Sequence, residues 1–331
     1  MRAAVVSSPT SGVELLDIAR PTAGPGEVVV EVAVCGVCAT DLHVATGDYA
    51  PLRLPVVIGH EFAGTVRALG PGVVSPAVGD RVVVDPSLYC GRCTYCSAGR
   101  DNLCLDGGGL GTTANGAFAE RVRVGAADCY LLPDDLTFEA AAFAEPLACA
   151  VHGLDLLPRR LGDHYVIYGA GTMGLLLAQL GRHAGAASVS VVDTNEARLV
   201  TAASYGMPVA TRADALPRAG GGWQVAIDCT GATAAIEDAI GRVARGGTYL
   251  QFGVASMTAQ VPISPFRLFR DEITLLGSRA IFRSFGRAVE LLAAGVIDTD
   301  GLVSERLPLD AIDVALRRVA EGTSAKVLVH P

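Results

Sequence analysis

The stretch HYVIYGAGTMGLLLAQLGRHAGAASVSVVD, His164 to Asp193, decides how this chain folds. HYVIY (His164–Tyr168) reads as a short apolar strand, and Gly169, Gly171 and Gly174 follow at once with the spacing GxGxxG. In that spacing the first glycine makes a tight turn, the second lets backbone approach a pyrophosphate, and the third packs helix on strand. Thr172 and Met173 lead into the helical run LLLAQL, whose N-terminal amides can hold phosphates. The motif alone is weak. Here a second strand, SVSVVD, closes the unit and ends in Asp193, 24 residues after Gly169. An acid at that point hydrogen-bonds the ribose hydroxyls and repels a 2′-phosphate, so the stretch predicts NAD rather than NADP. Arg198, one helical turn on, either covers the adenine or ribose edge or is a solvated helix residue.

Outward from this unit the alternation continues. Gln224–Cys229, Gly247–Gly253 and Glu272–Gly277 read as strands, and Ala232–Ile240 and Phe285–Ala294 as helices. This predicts an α/β, doubly wound parallel sheet of the Rossmann type. Residues 1 to about 150 read differently. Val28–Val37, Glu61–Gly70, Asp80–Pro86 and Ala117–Val124 are short strands between Gly/Pro turns, the spacing of a small antiparallel, barrel-like lobe. KVLVH, near the C-terminus, reads as a strand returning to that lobe.

Inside the β-rich lobe, CGRCTYCSAGRDNLC places Cys90, Cys93, Cys96 and Cys104 with two, two and seven residues between them. Four thiols in a turn-rich loop can close a tetrahedral S₄ site around Zn²⁺. An iron–sulfur cluster is the rival, but no Pro follows the last Cys and only one such cluster is present. A closed site leaves no open coordination position, so it braces the lobe and the chemistry lies elsewhere. Cys38 and His60 offer a thiolate and an imidazole, and Glu61 or Glu145 a carboxylate. Asp41 is a natural partner for the far nitrogen of His60. Taken alone, such a pair is as readily a core thiol and a turn histidine. Glu145, directly before Pro146 and an apolar helical run, is costly there unless paired or metal-bound, or it is a helix N-terminal residue with Pro at N1. His152 reads as a core histidine and Cys35 as a strand residue.

The 331 residues suggest two domains, and half of them are hydrophobic, ample for two cores. No apolar run reaches the ~18 residues of a membrane span, and MRAAVVSSPT lacks a signal-peptide core, so no membrane association is expected. Nine cysteines, four grouped as metal ligands, fit a reducing, cytoplasmic setting rather than a disulfide scaffold. The formal charge of −8 argues against a nucleic-acid partner.

In the order CATDLH (Cys38–His43), GHE (Gly59–Glu61), CxxCxxCx₇C, EPL (Glu145–Leu147) and GAGTMG, the chain resembles the zinc-dependent medium-chain dehydrogenase/reductase superfamily over essentially its whole length. It is most similar to the polyol (sorbitol-type) and threonine dehydrogenase branch, because Glu-Pro-Leu stands where ordinary alcohol dehydrogenases carry Cys. The resemblance implies a GroES-like catalytic domain with structural zinc, residues 1–150 and 285–331. A Rossmann domain, 151–284, follows, with the active-site cleft at their junction. It implies two zinc ions per chain, NAD as cofactor, a small-molecule alcohol as substrate, and a homotetramer or homodimer. Cys38, His60 and Glu61 match catalytic-zinc ligands, and Glu145 a further ligand or a partner of bound water. Thr40 matches the hydroxyl that takes the substrate's proton, and His43 the residue that hands it toward solvent. Gly169, Gly171, Thr172, Met173, Gly174, Asp193 and Arg198 match cofactor contacts, with Phe252, Gly253, Val254, Ser278 and Arg279 near the nicotinamide. Aromatics are sparse, with Tyr49 and Phe118 as candidate pocket walls. Arg279 and Arg283 are candidates to favour a polar substituent, a solvated helix face being the other role for Arg283. Oxidation of a secondary hydroxyl in a polyol, cyclitol or sugar-like alcohol is the expectation within the family; amino-alcohol (threonine-type) oxidation, simple alcohol or aldehyde conversion, and a non-catalytic nucleotide-binding relative are the alternatives.

Overall fold

The computed structural model describes residues 1–331 apart from 10, 48–50, 218–220 and 323–324, so Tyr49 lies outside the described residues. The chain divides into two compact units, Met1–Ala148 with Ile281–Pro331, and Cys149–Ala280. Both boundaries fall a few residues before those expected from sequence.

The second unit is built on a six-stranded sheet, all of whose pairings are parallel. Taken in chain order, its strands are His164–Tyr168, Ser188–Val192, Val209–Ala210, Trp223–Asp228, Val243–Gln251 and Thr274–Gly277. They lie in the spatial order 3-2-1-4-5-6. That order reverses direction between the first and fourth strands, the place where open α/β sheets bind ligands. The strand His164–Tyr168 is buried from Tyr165 on, as a strand covered on both faces must be. The last strand is shorter than its pattern suggests. Glu272 takes φ 49°, the left-handed cap of the helix Pro265–Asp271, and pairing begins only at Thr274.

The first unit centres on the strand Glu27–Gly36, whose Val28, Val29, Val30, Val32 and Val34 are buried. It pairs antiparallel with Glu61–Leu69, Arg121–Gly125 and Lys326–His330, so the C-terminal strand does return to this lobe. The strand expected from Ala117 begins only at Arg121. Before it, the Ala117 and Phe118 amides donate to the carbonyls of Gly59 and Ile58, each at 2.9 Å. Phe118 is fully buried, a core residue rather than a pocket wall. Gly59 takes φ +95°, and a Cβ there would lie 2.8 Å from the Phe118 nitrogen. Only glycine lets the chain turn over that ring and deliver His60.

Candidate active site and metal centres

Two groups of potential ligands stand out in the first unit. Cys38, His60 and Glu61 each offer one ligand atom within 4.8 Å of the others, and Cys90, Cys93, Cys96 and Cys104 do the same. Cys38 directly precedes the helix Ala39–Thr46, while Glu61 opens the strand Glu61–Leu69 with His60 just ahead of it. One carboxylate joins these elements. Asp41, 1% exposed, accepts from the Cys38 amide at 2.9 Å and from the Gly59 amide at 3.1 Å. Its Oδ1 is also 3.4 Å from His60 Nδ1, a buried atom with no hydrogen bond among the described residues. Asp41 therefore fixes the backbone at both potential ligands and faces one imidazole nitrogen, which leaves the other available to a metal. Burial opposes charge on the imidazole, but Asp41, with Cys38, more than offsets this and holds His60 well above its ordinary pKa. A field that attracts a proton to the ring this strongly also attracts a cation. Thiolate, imidazole and carboxylate form a donor set that suits zinc.

Thr40 Oγ1 lies 3.7 Å from Cys38 Sγ, and His43 is exposed about one turn further along the same helix. Glu145 is half-buried in the first turn of the helix Ala144–Asp155, outside the three-ligand group. That helix starts two residues before Pro146, so Pro occupies the third helical position rather than the first. His152 is buried on it.

The site also contains a residue that motif reading missed. Lys326, 4% exposed, opens the C-terminal strand, and its ammonium donates to Glu61 Oε2 and, at 3.1 Å, to the Val37 carbonyl. Burial opposes its charge, yet Glu61, and beyond it Cys38 and Glu145, hold it above the ordinary lysine range. The only sequence signal was a charged residue heading an otherwise apolar strand.

The four-cysteine loop has the chemistry of a closed site. The Cys93 amide donates to Cys90 Sγ and the Cys90 amide to Cys104 Sγ, each at 3.3 Å, and the Cys96 amide to Cys93 Sγ at 3.5 Å. Backbone amides of Cys96 and Leu105 lower the Cys93 thiol to about 6. Cys93 and Cys104 sulfurs are 3.9 Å apart, close to the edge of a tetrahedron with Zn–S bonds of ~2.3 Å. Arg283, expected on a solvated helix face, instead precedes the helix Phe285–Ala293 and reaches Asp101 Oδ2 of this loop at 3.7 Å.

In the second unit, Gly169 takes φ +106° and its amide donates to Val192 O at 2.7 Å. Gly171 caps the helix Thr172–His183 with open space where a Cβ would go. At Gly174 a Cβ would lie 2.9 Å from the Gly169 carbonyl carbon and closer still to its oxygen. Met173 is half-buried in that first turn. Asp193 accepts from the Ala170 amide at 2.7 Å and the Asn195 amide at 2.8 Å, with Arg198 Nη1 3.8 Å away. Asp228 organises the far side. Fully buried, it accepts from the Thr230 hydroxyl at 2.6 Å, the Gly231 amide at 2.8 Å and Gln251 Nε2 at 2.9 Å. Its carbonyl accepts from the Phe252 and Gly253 amides, at 3.0 and 2.7 Å, which sets the loop running to exposed Val254. Ser278 follows the edge strand, its amide donating to Gln251 O at 3.0 Å and its buried hydroxyl without a hydrogen bond among the described residues; Arg279 next to it is exposed.

Family models for the alcohol dehydrogenase GroES-like domain and for zinc-binding dehydrogenases match residues 24–134 and 172–294. D-arabinitol dehydrogenase 1 of Uromyces fabae is 37% identical, over 92% of this chain and 90% of its own length. This chain is a zinc-dependent medium-chain dehydrogenase of the polyol and threonine dehydrogenase branch. L-threonine 3-dehydrogenase of Streptomyces avermitilis is 33% identical to this dehydrogenase, over 99% of both chains. A zinc-binding dehydrogenase from Sinorhizobium meliloti, solved with NADP bound, is 34% identical with a TM-score of 0.94, covering 100% of this dehydrogenase and 99% of that chain. The dehydrogenase thus combines a zinc-binding GroES-like unit with a nicotinamide-nucleotide fold. No helix among the described residues is long and apolar enough to cross a membrane.

Proposed function

We propose that this dehydrogenase oxidises a secondary hydroxyl of a polyol, cyclitol or sugar-like alcohol, with NAD as hydride acceptor. The observation that carries the reading is the Cys38–His60–Glu61 group, which sets a carboxylate beside one thiol and one imidazole as potential ligands, with Glu145 standing where ordinary alcohol dehydrogenases carry a second thiolate. A zinc ion held there supplies Lewis acidity that makes a substrate hydroxyl easier to deprotonate near neutral pH. Carboxylate is a harder donor than thiolate and suits a substrate bearing two neighbouring oxygens. Glu145, whose charge reaches Lys326, is the second carboxylate at the centre, as a further ligand or a partner for water. Thr40, beside Cys38, accepts the hydroxyl proton, and exposed His43 passes it to solvent.

The glycines from Gly169 to Gly174, with Thr172 and Met173, receive the pyrophosphate, and Asp193 with Arg198 the adenosine ribose. Phe252, Gly253, Val254, Ser278 and Arg279 border the nicotinamide. Asp193 supports NAD over NADP by its charge. Supporting the substrate class, relatives across nearly the whole chain are named as polyol dehydrogenases. Amino alcohols form a second class, favoured by relatives named L-threonine 3-dehydrogenase. We further propose a homodimer or homotetramer. The strand Thr274–Gly277 is a sheet edge, and the nearby helix exposes Phe266 and Phe269.

The test uses matched pairs, a simple secondary alcohol against its vicinal-diol analogue, at saturating NAD⁺. A higher kcat/KM for the diol is expected. A simple alcohol turned over as well as every polyhydroxylated partner overturns the substrate class.

A further inference from the structure

Glu61 cannot be treated as a free carboxylate. It is 1% exposed, and Oε2 is taken by the Lys326 ammonium, itself buried. The same ammonium holds the carbonyl of Val37, the residue before Cys38. The Val37 amide in turn donates to Val327 O at 3.0 Å, which fixes the start of the Lys326 strand against the Cys38 segment. One cation therefore spans the backbone next to one ligand and the side chain of another. Room for this bridge comes from Gly36. A Cβ there would sit 3.4 Å from both Glu61 Cβ and Lys326 Cδ, and would overlap Glu61 Oε2. Any larger residue at 36 drives the carboxylate out of its present place.

We infer that Lys326, in the slot left by Gly36, is a positioning residue that withholds Oε2 of Glu61 from the metal. The bridge limits Glu61 to one-oxygen ligation and preserves an open coordination position for substrate. This rests on the reading of Cys38, His60 and Glu61 as the metal group. A carboxylate freed from its partner can turn both oxygens to a cation, and a site that fills its own open position cannot admit substrate. A purely structural ion pair, holding the last strand to the sheet, would leave metal coordination indifferent to the substitution.

Two measurements test this. The first is the visible d–d spectrum of enzyme whose catalytic site is loaded with Co²⁺, in wild type, Lys326→Met and Lys326→Arg, beside melting temperature. Met keeps the length of the stem and removes the charge and the donors. Lys326→Met is expected to shift and weaken the bands as coordination number rises, to retain its metal against chelator, and to lose at least tenfold in kcat. Lys326→Arg, which can still donate to Oε2, is expected to restore the wild-type spectrum. An unchanged spectrum in folded Lys326→Met overturns the inference whatever its melting temperature.

The second is a crystal structure of zinc-loaded wild type, decisive even if the variant does not fold. One Glu61 oxygen on the metal with Oε2 on Lys326 supports the inference. Glu61 bound through both oxygens, or through neither, overturns it while leaving the metal site intact. Absence of zinc at Cys38 and His60 in protein that carries zinc at the four-cysteine loop overturns the underlying reading.

Discussion

Alanine substitutions in the Gly169–Gly174 loop should separate folding from cofactor binding, because the three glycines are required for different physical reasons. At Gly171 φ is −78°, open to any residue, and the space where a Cβ would go is empty. Alanine there gains about 0.4–1 kcal/mol by restricting the unfolded chain, and loses a few tenths or more as a poorer helix cap. The melting temperature of Gly171→Ala should stay within about 2 °C of wild type. Its methyl group, however, fills the space through which a pyrophosphate must approach the backbone, so NADH binding should weaken at least tenfold, or ~1.4 kcal/mol. Gly174 is the opposite case. Its Cβ would lie 2.9 Å from the Gly169 carbonyl carbon and nearer its oxygen, and backbone cannot swing aside like a side chain. An overpacking cost of ~3 kcal/mol is expected, a fall of roughly 6–12 °C. Gly169, at φ +106°, should fall between them through backbone strain of about 1–3 kcal/mol. Thermal denaturation without cofactor and NADH fluorescence titration read the two effects separately. The reasoning is refuted if Gly171→Ala melts as low as Gly174→Ala, or if Gly174→Ala retains wild-type melting and loses only NADH.

Further outcomes follow from other sites. Cys93→Ser should lose one of two zinc ions and melt lower, whereas Cys38→Ser should lose the other and all turnover while staying folded; elemental analysis with circular dichroism checks both. Asp193→Ala should weaken NAD⁺ binding by about 1–3 kcal/mol, and equal wild-type kcat/KM for NAD⁺ and NADP⁺ would count against the charge argument. Burial, aided by Asp85, raises the Asp128 carboxyl to about 6. The folded state therefore binds a proton that the unfolded chain has released, and this residue's contribution to stability falls as pH rises from about 4 through 6. Asp128→Asn should raise stability at pH 7.5 by roughly 1–2 kcal/mol, allowing for partial solvent screening, and change it little at pH 3.5. An equal gain at both pH values would mean that ionisation is not the cause.

The sequence carried the nucleotide-binding unit almost completely, because its signals are local. A strand, a glycine turn, a helix and an acid lie within Tyr165 to Asp193, and the burial of Tyr165–Tyr168 and the φ of Gly169 follow from those few residues. The four-cysteine loop was legible for the same reason. Strand ends were not, since they depend on what the chain meets. Glu272 delays the start of the sixth strand because it caps a helix, and Phe118 leaves its expected strand because Gly59 turns over it. Phe118 also shows that an aromatic in a β-patterned segment carries no sign of whether it will line a pocket or join the core.

The candidate metal centre divides along the same line. Cys38 and Asp41 are three residues apart, so their amide–carboxylate bond lies within reach of pattern reading. Lys326 lies 265 residues from Glu61 and meets it only because the last strand pairs with Glu27–Gly36 beside the strand that Glu61 opens. No spacing rule links the two. What links them is a charge balance. A thiolate and several acids converge on a buried point, and a cation that travels with the fold sits among them. Motifs name the atoms that touch a metal. The residue that governs how one of those atoms is presented is found by asking how each buried charge is compensated, and at Glu61 that question leads to Lys326 and to the missing side chain of Gly36.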